Sequence, residues 1–250
     1  MVSIANCKQM KRELQIFSNP EALAEQVSVL LMGWIEKSSN NKFHLAISGG
    51  STPNLLFSAL ATSYSGSTLW QKTHIWWVDE RMVAPNDPES NFGVAKKLLL
   101  SKIAIPETNI HRILGEQVPY QEAENYSRQI REQVPMKDVW PRFDLIFLGI
   151  GDDGHTASIF PNQMELLQSD RICEIATHPV THQQRVTLTG RAIDNADKIC
   201  FLVTGANKAE RMSEIWSKGE KGKKLPAGWI HPTEGQSIWF ADEKATTYIR

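Results

Sequence analysis

Short apolar runs alternate along the chain with segments in which apolar residues recur at helical spacing. FHLAIS at residues 43–48, HIWWV at 74–78, FDLIFLG at 143–149 and KICFLVTG at 198–205 are almost continuously apolar. Runs of this length, bounded by glycine and polar residues, are typical of strands that are buried on both faces. The pattern therefore predicts the strands of a mostly parallel sheet.

The segments between these runs predict helices. The first, at residues 19–39, has Ser18 or Asn19 as its cap and Pro20 in its first turn. Helices also follow two of the apolar runs, and three further strands are predicted. These weaker elements are the helices NLLFSAL and ANKAERMSEIWSKG and the strands ELQIFS, RVTLT and SIWF. Alternating strands and helices predict an α/β fold with helices on both faces of the sheet.

The connectors between these elements are short and do not separate two halves of different composition. The most loop-like connectors are ATSYSGST, APNDPESN and SKGEKGKKLPAG. A chain of 250 residues is long enough to bury the core of one α/β domain. We therefore expect a single domain over residues 1–250.

Composition and charge narrow the range of partners. Charged residues make up 22% of the chain and the formal net charge is -1, which favours neither a disordered tail nor a nucleic-acid-binding surface. Cys7, Cys173 and Cys200 are odd in number and far apart, as expected for reduced thiols in the cytosol. No signal-type or membrane-spanning apolar run is apparent. We expect a cytoplasmic protein with a small diffusible partner and no contact with membrane or nucleic acid.

The most polar and glycine-rich short stretches follow the predicted strands. They read SGGSTP, DER, GIGDDGH and TGANK. Ligands of parallel α/β sheets bind beyond the carboxyl ends of the strands. We therefore expect these four stretches to converge on one edge of the sheet.

SGGSTP has the features of an anion site. Its glycines let the backbone approach a phosphate, and Pro53 is expected at the first helical position with Ser51 or Thr52 as the cap. Free N–H groups at a helix start attract an anion. An ordinary strand-to-helix turn would have the same residues. The stretch matches neither the P-loop nor the dinucleotide fingerprint, so a nucleotide is not the favoured anion.

Three cations follow strands or begin them. Lys208 lies in TGANK, where a helix dipole disfavours a cation unless an anion is bound, and Arg81 and Arg185 could hold oxyanions by bidentate contacts. A solvated lysine and two surface salt bridges are the alternatives.

GIGDDGH places a histidine directly after a strand. The glycines allow a sharp turn that carries His155 into a cleft, and a preceding aspartate could fix the tautomer of its imidazole. Such a histidine could remove a proton from water, whereas an Asp-Gly turn with a structural histidine is the alternative. His178 and His182 are four residues apart, but Pro179 makes a helix there unfavourable, so we expect no metal site. No GxSxG nucleophile elbow occurs.

Taken together and in order, the motifs resemble those of the 6-phosphogluconolactonase family. They are SGGSTP, VDER, SN at residues 90 and 91, GIGDDGHTASIFP, VTGANK and LPAGWIHP, and they cover nearly the whole chain. Asn162 stands where the family usually has glycine. The resemblance implies an α/β domain similar to the glucosamine-6-phosphate deaminase and ribose-5-phosphate isomerase superfamily. It also implies hydrolysis of 6-phospho-D-glucono-1,5-lactone without a metal or organic cofactor, by a monomer or weak homodimer.

The resemblance also implies roles for individual residues. It makes His155 the general base and Asp153 its supporting acid, whereas Asp152 occupies a variable position and has less weight. Asp79 and Glu80 match the motif without a settled role. The implied contacts to the sugar phosphate are Gly49, Gly50, Ser51, Thr52, Asp79, Arg81, Arg185 and Lys208.

Two other functions use similar residues. An aldose–ketose isomerase or glucosamine-6-phosphate deaminase has a similar phosphate loop, but these deaminases typically carry DEY where this chain has DER, so Arg81 favours the lactonase. A non-catalytic sugar-phosphate sensor would not need His155. Such sensors usually add a DNA-binding segment, which this chain does not show.

Overall fold

The computed structural model describes residues 12–217 and 219–249, and Cys7 and the N-terminal segment lie outside these residues. Twelve strands occur in the described part. In chain order they are β1 Arg12–Phe17, β2 Phe43–Ile47, β3 Thr73–Trp77, β4 Asp79–Arg81, β5 Ile110–His111, β6 Met136–Lys137, β7 Trp140–Pro141, β8 Leu145–Leu148, β9 Cys173–Thr177, β10 Gln184–Leu188, β11 Lys198–Val203 and β12 Gln236–Asp242.

Seven of these strands form the central sheet, in the order β1-β12-β11-β8-β2-β3-β5. Every neighbouring pair in it is parallel. β2, β3 and β8 are buried at every position, which explains why their sequences are apolar without alternation. The predicted fold class is confirmed: a mostly parallel sheet flanked by helices.

Six α-helices of the described residues accompany the sheet. They are α1 Pro20–Lys37, α2 Ser51–Ser63, α3 Asn91–Leu98, α4 Pro119–Gln133, α5 Gly190–Asp194 and α6 Ala209–Trp216. The start of α1 follows the prediction, because the Asn19 side chain accepts a hydrogen bond from the N–H of Ala22 at 2.8 Å and Pro20 is the first helical residue. Within the described residues, no helix is both long and apolar enough to cross a bilayer.

The start of α2 differs from the prediction. The helix begins at Ser51, so Pro53 is its third residue and not its first, and Gly50 occupies the cap position with φ 116°. Neither Ser51 nor Thr52 caps the helix, because Gly50 does so without a side chain. The positive φ favours glycine, since residues with a Cβ are strained in this region.

A second, antiparallel sheet lies beside the first, in the order β4-β10-β9. DER follows the end of β3 as predicted, and it also forms a short strand of its own, β4, which pairs with β10. In this register Arg81 lies directly opposite Arg185. The remaining strands, β6 and β7, form a two-stranded ribbon.

Candidate active site

The carboxyl ends of β2, β3, β8 and β11 meet at one edge of the central sheet, and a cleft opens there. All four predicted polar stretches contribute to it. The lining includes the predicted base and every predicted substrate contact: His155, Gly49, Gly50, Ser51, Thr52, Asp79, Arg81, Arg185 and Lys208. Asp153 contacts His155 from outside the lining. The fold thus brings together all the residues that the sequence singled out.

His155 is held by its neighbour two positions earlier. Its Nδ1 lies 2.5 Å from Oδ1 of Asp153, and its backbone N–H donates to the same oxygen at 3.1 Å. Asp153 thus favours the tautomer that carries the proton on Nδ1 and leaves Nε2 as the basic nitrogen. The His155 ring also packs on Phe160, with ring centroids 4.8 Å apart.

Asp153 is suited to this role because it is ionised over the ordinary pH range. Partial burial raises the pKa of its carboxyl, but the hydrogen bond and charge of His155, together with the backbone hydrogen bond, outweigh burial and lower the pKa to about 2. An ionised carboxylate at this distance favours the protonated form of an imidazole.

The turn that carries His155 needs glycine at two positions. A Cβ on Gly151 would lie 2.1 Å from Nδ1 of His155 and 2.7 Å from Oδ1 of Asp153, so the two side chains occupy the space that glycine leaves. Gly154 has φ 85°, and a Cβ there would lie 2.6 Å from Leu225. The N–H of Gly151 donates to the carbonyl of His155 at 2.8 Å and closes the turn.

The glycine-rich loop after β2 lines the opposite side of the site with backbone. A Cβ on Gly49 would lie 1.9 Å from Oδ1 of Asn91, so only glycine allows this close packing. The N–H groups of Ser51 and Thr52 are in the first turn of α2 and have no partner within the helix. Thr52 Oγ1 lies 2.7 Å from Thr204 Oγ1 and links this loop to the one after β11. The arrangement fits an anion at the helix start.

Arg81 and Arg185 face each other across β4 and β10. Like charges directly opposite destabilise a strand pair. Neither arginine forms a salt bridge with any described residue, and the Nε of each is buried without a hydrogen-bond partner. The surface salt bridges considered as alternatives are therefore absent from the described part of the chain. Arg81 Nη1 donates to the carbonyl of Glu89 at 2.5 Å, but neither guanidinium has a carboxylate partner among the described residues, which suits an anionic ligand.

Neighbouring groups hold Arg185 in place. The residue is only 8% exposed, its guanidinium lies over Phe160 at 5.5 Å, and its Nη1 lies 3.4 Å from Oγ of Ser158. Ser158 donates in turn to Oδ2 of Asp79 at 2.6 Å. Burial lowers the pKa of the Arg185 guanidinium, and the charge of Asp79 partly offsets this effect. The negative charge of Asp79 thus partly offsets the positive charge of Arg185, although the two residues form no salt bridge.

Glu80 has a structural role. Its carboxylate accepts hydrogen bonds from the N–H groups of Arg81, Asn91 and Phe92 and from the hydroxyl of Ser90. The groups from Ser90, Asn91 and Phe92 lie at the N-terminus of α3, where a carboxylate is favoured. Burial raises the pKa of Glu80, and the backbone hydrogen bonds oppose that shift.

Lys208 is the last residue of a short 3₁₀ turn, Ala206–Lys208, and directly precedes α6, so the helix predicted from ANK onward is divided. Its Nζ donates to Oδ1 of Asp152 at 2.5 Å, and Asn207 Nδ2 donates to the same oxygen at 2.8 Å. Asp152 was given little weight in the sequence analysis. The structure shows that it contacts one of the three cations of the cleft.

Several side-chain contacts in the site could not be predicted from the sequence. Asp152 and Lys208 follow β8 and β11 at similar offsets and carry opposite charges, but only the sheet order shows that these strands are neighbours. Ser158 lies in GIGDDGHTASIFP and Thr204 in VTGANK, but nothing in these motifs indicates what the two hydroxyl groups contact. His178 has a structural role in a turn, because its Nδ1 accepts hydrogen bonds from the N–H groups of Val180 and Thr181. Among the described residues, no cluster of His, Cys, Asp or Glu has the geometry of a metal site.

Comparison with known proteins places the chain in a family. The model of the family described as glucosamine-6-phosphate isomerases/6-phosphogluconolactonase matches residues 18–239. The chain belongs to this family. A 6-phosphogluconolactonase of Haemophilus influenzae is 42% identical over 211 residues, which cover 84% of this chain and 89% of that relative.

Solved structures of the family agree with the fold. The crystal structure of a devB protein has a TM-score of 0.91 and 38% identity, and the match covers 96% of this chain and 100% of the other. A monomeric glucosamine-6-phosphate deaminase has a TM-score of 0.75 with 16% identity, over 94% of this chain and 99% of the other. The second likeness shows that the deaminase shares the fold.

Proposed function

We propose that the protein hydrolyses 6-phospho-D-glucono-1,5-lactone to 6-phospho-D-gluconate, the second step of the oxidative pentose phosphate pathway. The observation that carries the proposal is the Asp153–His155 pair, which presents a basic nitrogen in a cleft that also holds three cations. Membership of a family that includes 6-phosphogluconolactonases supports the same conclusion.

In the proposed complex the phosphate is bound by the glycine-rich loop, Lys208 and an arginine. The backbone N–H groups at the start of α2 donate to its oxygens, and the cations balance its charge. With the phosphate anchored, the lactone carbonyl carbon C1 lies near His155. Positioning of this kind converts attack by water into an effectively unimolecular step.

His155 then acts as general base. Nε2 takes a proton from water as the water oxygen bonds to C1, and the charge on the carbonyl oxygen is stabilised by nearby donors. The bond between C1 and the ring oxygen breaks next, and the ring oxygen takes the proton from the imidazolium. The resulting acid loses its proton to solvent, so each turnover releases one proton near neutral pH. Asp153 stabilises the imidazolium between these steps.

The test is an assay with freshly prepared lactone, coupled to oxidation of 6-phosphogluconate and corrected for spontaneous opening. His155→Ala should lower kcat by about 10²- to 10⁴-fold with little change in KM, because general-base catalysis contributes an effect of this size. Circular dichroism checks that the variant is folded. Wild-type protein that does not exceed the spontaneous rate, or a folded, fully active His155→Ala, would refute the proposal.

The same protein should not release ammonia from glucosamine-6-phosphate, and this second assay separates the lactonase from the deaminases that share the fold. We also propose that it acts in the cytoplasm as a monomer or weak homodimer. One observation supports the cytoplasmic location: Cys173 and Cys200 are buried free thiols.

A further inference from the structure

Two loops face each other at the cleft, the histidine loop (residues 149–155) and the lysine loop (residues 204–208). They follow β8 and β11, which are neighbours in the central sheet. Asp152 of the histidine loop joins them, because its Oδ1 accepts from Lys208 Nζ at 2.5 Å and from Asn207 Nδ2 at 2.8 Å.

Each loop is also held from its own side. The histidine loop is closed by the hydrogen bond from Gly151 N–H to the carbonyl of His155. In the lysine loop, the N–H of Gly205 donates at 3.0 Å to Oδ1 of Asp242, a buried carboxylate at the end of β12. The backbone is therefore fixed without Asp152. What Asp152 adds is control of the side chains at positions 207 and 208.

The exposed fractions of the Lys208 and Asp152 side chains indicate what their contact does. The Lys208 side chain is 19% exposed and lines the cleft, whereas the Asp152 side chain is 74% exposed. An ion pair with so exposed a partner contributes little to stability. The hydrogen bond from Lys208 is the main cause that lowers the pKa of Asp152, so the carboxylate stays ionised. A long flexible stem gives lysine many rotamers, and the contact selects one of them.

We propose that Asp152 is a positioning residue for substrate binding. It holds the ammonium group of Lys208 at the cleft before the ligand arrives, with two N–H donors of Nζ left to contact the phosphate of a sugar phosphate. Binding then loses less side-chain freedom, which increases affinity. The inference rests on the proposed function for the identity of the substrate, whereas the effect on phosphate binding can be measured without turnover.

Calorimetric titration with inorganic phosphate and with 6-phosphogluconate tests the proposal directly. Asp152→Ala removes both hydrogen bonds of the carboxylate and should weaken binding of both ligands about fivefold. Asp152→Asn keeps an oxygen that accepts from Lys208 and Asn207, so it should bind within about twofold of wild type. The matched control is Asp170→Ala, which removes an exposed carboxylate that pairs with Arg191 away from the cleft.

A double-mutant cycle shows whether Asp152 acts through Lys208. Lys208→Met should weaken phosphate binding by itself, and Asp152→Ala should add no further loss in that background. In the lactone assay, Asp152→Ala should raise KM and leave kcat within about twofold of wild type, because the His155 chemistry is intact.

Three results would overturn the inference. Tighter phosphate binding by Asp152→Ala would mean that the carboxylate competes with the ligand for Lys208. Unchanged binding, or an equal loss with and without Lys208, would mean that Asp152 does not position this lysine. If the binding results are as expected but the lactone is not hydrolysed, only the proposed function fails.

Discussion

The position of the His155 ring depends on the absence of a side chain at Gly151. A Cβ there would lie 2.1 Å from Nδ1 of His155, far inside contact distance. Gly151→Ala should therefore displace the ring or break its hydrogen bond with Asp153. We expect kcat for the lactone to fall about 10²-fold or more, because a misplacement of about 1 Å is enough for such a loss. Thermal unfolding should show that the protein remains folded.

The control for this substitution is Gly33→Ala. Gly33 lies inside α1, and a Cβ there meets nothing within 4 Å, so the same chemical change should leave kcat unaltered. If Gly151→Ala is as active as Gly33→Ala, the ring does not need the position that the structure gives it.

Asp153 should matter through its charge and through the tautomer that it selects. Asp153→Asn keeps the size of the side chain but removes the charge that stabilises imidazolium, and its amide can donate to Nδ1 and so favour the wrong tautomer. We expect kcat to fall about 10²-fold with KM nearly unchanged. Chemical shifts of the His155 ring, measured by NMR, should report the change of tautomer. A variant with normal kcat would remove Asp153 from the mechanism.

At the scale of single residues, the sequence predicts contacts within one turn but not contacts between distant loops. His155 and Asp153 are two positions apart in one glycine-rich turn, so their hydrogen bond is a local feature that the motif predicts. The contact between Asp152 and Lys208 joins residues that are 56 positions apart. Local sequence carries no information about such a pair until the order of the strands is known.

At the scale of elements, the pairing of β4 and β10 places Arg81 opposite Arg185, and no described carboxylate forms a salt bridge with either arginine. The repulsion between them should be relieved when an anion binds. Phosphate or 6-phosphogluconate should therefore stabilise the wild-type protein and raise its Tm. At a ligand concentration of 100 times Kd, the free energy of unfolding should rise by about 2.7 kcal/mol. Arg185→Met should lose most of this shift, as measured by thermal unfolding over a series of ligand concentrations.

Arg191→Met is the matched control for this experiment, because Arg191 is an exposed arginine that pairs with Asp170. It should retain the full shift. Equal shifts in the wild type and in both variants would show that the anion binds elsewhere.

The elements themselves were predicted with uneven success. Four of the seven central strands, β2, β3, β8 and β11, are apolar runs that can be identified without a structure, whereas β5 has only two residues and was not predicted. That DER forms a strand of its own was not predicted, because a strand of three residues is too short to show any alternation. The start of α2 was misplaced because serine and threonine are strong caps, whereas here the positive φ of Gly50 ends the preceding loop.

At the scale of the whole molecule, the sheet order decides which loops meet. β2, β8 and β11 are consecutive in the sheet but are separated in the chain by about a hundred and about fifty residues. Alternating strands and helices predict a parallel sheet with a ligand at the carboxyl edge. They do not determine the order of seven strands, and therefore predict that the loops share an edge but not which side chains touch.

The central sheet also contains a buried histidine cluster that the mechanism does not use. His74 Nδ1 lies 2.9 Å from His111 Nε2, and Trp76 Nε1 donates to His44 Nδ1 at 3.2 Å. All three histidines are buried, on neighbouring strands β2, β3 and β5. A second proton on these rings would place charges side by side without a described carboxylate partner, which is costly.

The cluster should make stability depend on pH. Burial, followed by repulsion from the other histidines and Lys42, lowers the pKa of His44 to about 3 and that of His111 to about 4. In the unfolded chain both histidines should have a pKa of about 6.5. Between these values the unfolded state binds more protons than the folded state, so the free energy of unfolding rises with pH and falls as the solution is acidified from about pH 6.5 to pH 4.

Urea unfolding at a series of pH values measures this dependence. Each of these two histidines should contribute a slope of up to about 1.4 kcal/mol per pH unit within the window. Replacing His44 and His111 by glutamine should reduce the slope, and the effect of other titrating groups cancels in the comparison with wild type. His182→Gln, which replaces an exposed histidine, should leave the slope unchanged. A double variant with the wild-type slope would show that the acid sensitivity of this fold arises outside the histidine cluster.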